Sequence, residues 1–84
     1  MPHKRSKEQI IAQILDLCQG EGANNTKIVY QVNLNFKSVN GYLDSLLEKG
    51  LLEAIQSDRN PTYRTTPAGE EALEILQKAE AITS

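Results

Sequence analysis

The chain has 84 residues, 39% hydrophobic and 24% charged, with a formal net charge of −2 and one cysteine. That length suits one domain (1–84) without a deep two-lobed substrate cleft, and so short a chain buries only roughly 60–65% of the surface it exposes when unfolded, which leaves room for a partner subunit. No apolar run nears the ~18 residues of a membrane span, no apolar signal core follows the N-terminal charges, and Cys18 has no internal disulfide partner, so the expectation is a soluble cytoplasmic protein.

Residues 1–5 read as a flexible arm. Ser6 and Gln9 then have the spacing of a capping box, which satisfies backbone N–H groups that a helix start leaves orphaned. Ile10, Ile11, Ile14, Leu15, Leu17 and Cys18 follow at helical spacing and make a broad apolar face, which Gly20 and Gly22 end. Either Asn24 or Asn25 can cap a short second helix, Thr26 to Val32, with Ile28, Val29 and Val32 turned inward. Asn33-Leu34-Asn35 is a tight break, with Leu34 placed to plug the gap between helices, and Asn35 caps a third helix, Phe36 to Lys49.

At 100° per residue, Phe36, Val39, Leu43, Leu46 and Leu47 of that third helix share one arc of about 100°, while Lys37, Ser38, Gly41, Asp44, Ser45 and Glu48 lie opposite. Gly50 suits the left-handed conformation of a helix end. Leu51 to Ser57 reads as a strand, Asp58 to Pro61 as a turn, and Thr62 to Thr65 as a second strand, together a hairpin. Thr66-Pro67 opens a last helix that runs to about Ile82. The chain is therefore expected to be mainly α with a small β-hairpin (α+β), in the order α-α-α-β-β-α, which is a winged helix-turn-helix.

Three stretches carry a resemblance to a known family. Thr26-Lys-Ile-Val-Tyr-Gln-Val-Asn-Leu-Asn-Phe-Lys, then Tyr42-Leu-Asp-Ser-Leu-Leu-Glu-Lys-Gly-Leu-Leu, resemble the small archaeal winged helix-turn-helix DNA-binding proteins and predicted regulators that dimerise through a C-terminal helix. Tyr63-Arg-Thr-Thr-Pro-Ala-Gly is similar to the strand-to-helix junction of winged-helix regulators. The resemblance spans roughly residues 6–82, although relatives often carry a longer coiled-coil arm than the helix here. It implies a dimeric, sequence-specific binder of double-stranded DNA acting in transcription regulation, nucleoid-associated when bound, and a backbone contact from Lys27.

The residues themselves point the same way. A net charge of −2 counts mildly against nucleic acid, but its distribution is uneven. Residues 1–41 hold five bases (Lys4, Arg5, Lys7, Lys27, Lys37) and three acids, whereas residues 42–84 hold four bases and eight acids. In this architecture the third helix enters the major groove. Lys37 and Ser38 sit in its first turn, where free N–H groups favour phosphate; Asn40 and Tyr42 flank the core stripe, and asparagine suits adenine; Gly41 allows close approach. Arg59, Asn60 and outward-pointing Arg64 form a wing for the backbone or minor groove, and Lys4, Arg5 and Lys7 add a basic arm.

No enzymatic constellation accompanies these residues. His3 lacks ligand partners, Cys18 lies on an apolar face, and Gly20-Glu-Gly22 lacks the lysine of a phosphate loop, so no metal or cofactor is expected and the chain reads as a non-enzyme. On the last helix, 67–82, one apolar line holds Ala72, Ile75, Ala79 and Ile82 and a neighbouring one Leu73 and Leu76; the surplus suits an isologous homodimer. The alternatives are a winged-helix protein-interaction module and an architectural chromatin protein.

Overall fold

The computed structural model describes residues 5–56 and 60–83, with side chains through Ala79. Helix α1 (Lys7–Leu17) begins on the expected capping box: the Gln9 N–H donates to Ser6 Oγ at 3.1 Å and the Ser6 N–H to Gln9 Oε1 at 2.8 Å. Helix α2 (Asn25–Val32) is capped by Asn24, whose Oδ1 accepts from the Lys27 N–H at 2.8 Å, which settles the choice between the two asparagines. Asn33 takes the left-handed conformation (φ 58°) in the turn, and Asn35 Oδ1 accepts from the Ser38 N–H at 2.7 Å to start α3 (Phe36–Glu48). That helix ends in a Schellman arrangement, with the Leu51 N–H on Leu46 O (2.9 Å) and the Gly50 N–H on Leu47 O (3.1 Å).

The sheet is richer than the hairpin expected. A two-residue strand β1 (Ala23–Asn24) pairs antiparallel with β3 (Thr62–Thr65), which also pairs with β2 (Leu52–Ile55), in the order β1-β3-β2. Two residues carry no periodicity of their own, so β1 exists only because β3 offers a second edge. Gly22 makes that approach feasible, since its φ is +85° and a Cβ there would lie 2.5 Å from Tyr63 O. Strand β2 is shorter than the reading of residues 51–57, and its register sets Leu52 against Thr65 and Glu53 against Arg64. Helix α4 (Pro67–Thr83) follows Thr66, whose Oγ1 accepts from the Gly69 N–H at 3.1 Å and donates to Gly50 O at 2.6 Å.

The core gathers Ile14, Leu15, Cys18, Ile28, Val32, Val39, Leu43, Leu46, Leu52 and Leu73. Burial lies behind the behaviour of Cys18, whose thiol is pushed up to about 11 and so stays protonated and inert at neutral pH. Thr65, the buried polar residue among those described, donates its hydroxyl to Leu15 O at 2.6 Å. Phe36 departs from the expected core stripe, being 53% exposed. It is the first residue of α3, with no preceding helical turn to cover it, and Leu34 packs against the core from the adjoining turn instead. Leu47, also on that stripe, is half-buried.

Candidate nucleic-acid interface

The apolar stripe of α3 orients everything else on that helix. Val39, Leu43 and Leu46 are driven inward, which leaves Lys37, Gly41, Asp44 and Glu48 along an exposed crest. On one flank, Ser38, Gly41, Tyr42, Ser45 and Leu46 meet Lys7 and Ile11 of α1 around a cleft of about 270 Å³. On the other flank, exposed Asn40 meets the start of α2, where Asn25 Nδ2 donates to Asn40 Oδ1. Lys27, exposed in the first turn of α2, stands a few residues along from this amide pair. Gly41 costs a helix ~1 kcal/mol relative to alanine. Among the described residues no packing contact requires it, because a Cβ there would meet no atom within 4 Å.

The remaining candidates are scattered. Arg5 is half-buried and bonded to Gln13, beside Gln77 of α4, so it lies apart from the α3 crest. Arg64 points outward from β3 as expected, but Glu53 holds it across the sheet at 3.4 Å. Asn60 is exposed two residues before β3. Lys4, Arg59 and the side chain of Ile82 lie outside the described residues. On α4, Leu73 is buried, and Ala72 and Leu76 pack against the same core, while Ile75 (66% exposed) and Ala79 remain on the surface.

A winged helix-turn-helix family profile matches residues 4–84. The chain belongs to that family. The DNA-binding protein Sso10a-2 from Sulfolobus solfataricus has a similar structure, with a TM-score of 0.86 and 24% identity over 94% of this winged-helix chain and 82% of its own. The homodimeric winged helix-turn-helix DNA-binding domain of a Mycobacterium bovis protein superposes with a TM-score of 0.64 and 25% identity, over 88% of this chain and 67% of that one. An uncharacterized protein of Methanocaldococcus jannaschii is 32% identical over 75 residues, which are 89% of this chain and 34% of the relative, so the chain spans about a third of that relative's length. Both of these solved neighbours are DNA-binding proteins.

Within this winged helix the charges divide α3 in two. Its first half offers Lys37, Ser38, Asn40 and Gly41, with Lys7 at one flank and Lys27 near the other; its second half carries Asp44 and Glu48. Among the described residues, none of the three lysines is engaged in an ion pair. Two features escaped the sequence reading. Lys7 was grouped with the arm, yet it is the first residue of α1 and faces α3; the capping box at Ser6 was the signal that places it inside the helix. Tyr30 is 84% exposed on α2, where its position outside the Ile28, Val29 and Val32 stripe was legible. No helix among the described residues is long and apolar enough to cross a membrane.

Proposed function

We infer that this protein binds double-stranded DNA in a sequence-dependent way and acts as a dimeric transcriptional regulator, built as one winged-helix domain. The first half of α3 enters the major groove, with Lys37 and Ser38 on phosphate and Asn40, Gly41 and Tyr42 near base edges. Lys7 and Lys27 flank it on the backbone, and the 58–61 wing, with Arg59 and Asn60, lies on the backbone or in the minor groove. Arg64 joins only by leaving Glu53. The observation that carries this reading is Gly41: a helix-weakening residue with open space before it, on the same crest as Lys37 and at the rim of the cleft that Lys7 helps to line. A surface kept bare where the fold gains nothing is suited to a closely approaching partner.

Dimerisation rests on α4. Exposed Ile75 forfeits roughly 1.5–3 kcal/mol of burial, and a two-fold partner presenting the same residue recovers it. The pairing would set two α3 helices for two half-sites. The test is binding to a random duplex library across a salt series. Affinity that falls steeply with salt supports the reading, because phosphate contacts release counterions. A second reading, a protein-interaction module, draws on exposed Tyr30 and Phe36. Absence of binding at low salt would reject DNA and leave that one.

A further inference from the structure

Asn25 has no role in capping, since Asn24 holds that position, yet its side chain is turned toward α3 and bonded to Asn40. We propose that Asn25 is a positioning residue for base recognition, which locks the Asn40 carboxamide with its Nδ2 outward and so selects adenine. The proposal rests on the DNA-binding reading above and adds to it the residue that sets the base preference.

The orientation follows from burial. The Asn25 Oδ1 is buried and has no partner among the described residues, while its Nδ2 donates to Asn40 Oδ1. Turning Asn25 alone would set its oxygen against the Asn40 oxygen. Turning both amides would restore the bond but place the Asn25 NH2 group in the buried position, with two donors orphaned there instead of one acceptor. Buried N–H groups without partners are rarer than under-satisfied carbonyls, so the observed arrangement is the favoured one. The two amides therefore turn together or not at all, and the buried side of Asn25 decides which way.

The consequence lies on the exposed side. With Asn25 occupying one lone pair of Asn40 Oδ1, the amide plane is set, Nδ2 keeps its hydrogens, and Oδ1 keeps a second lone pair. Nδ2 needs an acceptor, which purine N7 supplies; Oδ1 needs a donor beside it, which is N6 of adenine and not O6 of guanine. A freely rotating asparagine would accept the adenine on either strand of the pair. A locked one distinguishes the strands.

The test is selection of bound duplexes from a random library by the full chain and by Asn25→Ala, Asn25→Asp and Asn40→Ala, with melting curves to check folding. An adenine preference that Asn40→Ala abolishes marks the position read. There, Asn25→Ala is expected to erode the strand discrimination by roughly tenfold, the scale of a bidentate contact. Asn25→Asp accepts from Asn40 Nδ2 and turns Oδ1 outward, so the preference should move to a base offering a donor, cytosine or an adenine on the complementary strand. The aspartate is nearly isosteric, so it carries the test should the alanine variant melt early. A uniform loss of affinity with the base preference unchanged in both Asn25 variants overturns the positioning role while leaving DNA binding intact. So does a wild-type selection with no position that depends on Asn40. A wild-type chain that binds no duplex at low salt overturns both readings.

Discussion

Helices α3 and α4 are both amphipathic and bury a stripe in the same core, but they leave different chemistry outside. Beyond Val39, Leu43 and Leu46, helix α3 leaves a lysine, a serine, an asparagine and a bare glycine on its first half. Beyond Ala72, Leu73 and Leu76, helix α4 leaves Glu70, Glu71 and Glu74, a lysine tied to Glu74 at 3.1 Å, and Ile75. A carboxylate band repels phosphate, and an exposed isoleucine gains from any apolar neighbour. The contrast teaches that the buried stripe builds the fold, whereas the exposed remainder separates a surface suited to a polyanion from one suited to a second copy of the chain.

Four measurements probe that contrast, beginning with the largest effect. Leu73→Ala removes the residue that anchors α4 and is expected to cost roughly 2–5 kcal/mol in denaturant unfolding. That is a large part of the ~5–15 kcal/mol typical of a domain, and a loss below about 1 kcal/mol would show that α4 is held elsewhere. Ile75→Glu leaves the single-chain core untouched, so it should separate the dimer proposed above without lowering the melting temperature of the dissociated chain. Each copy loses roughly 1.5–3 kcal/mol of burial, and sedimentation equilibrium giving an unchanged dimer mass would move the interface off this residue.

Gly41→Ala is expected to act in opposite directions on stability and binding. It should raise stability by ~1 kcal/mol, because alanine is the better helix former and its Cβ meets nothing within 4 Å. DNA affinity should fall as the methyl fills the approach, and a variant both more stable and equally tight on DNA would remove the reason given for the glycine. The smallest effect separates two lysines. Lys37→Ala should lower the slope of log affinity against log salt by about one, uniformly across sequences. Lys78→Ala, on α4 and paired to Glu74, should leave that slope alone; equal slopes for the two variants would erase the distinction between the helices.

Much of this was legible from local spacing. The Ser6–Gln9 box, the asparagines at the helix starts, the α3 stripe and Gly50 each act within a few residues, so their consequences follow from sequence distance. Phe36 was misread by the same rule, because periodicity assigns a face but does not know that a helix has only just begun. Within the candidate interface, the α3 residues were named from the sequence, whereas the grouping of Lys7 with Ser38 and Tyr42 was not, since α1 and α3 are far apart in the chain.

The amino-acid order by itself determined which segments are helices, where they stop, and which face of each is apolar, because those are contests between neighbouring backbone groups and water. Only the tertiary structure decided that β3 takes a third strand, that Gly69 lies against the Leu51 carbonyl where any side chain would collide, and that Asn25 reaches Asn40. These depend on atoms brought together by burial of the shared core, and no local preference encodes them. The apolar effect that collapses the chain is non-directional; the directional pairings on the surface form only once the core has set the helices side by side.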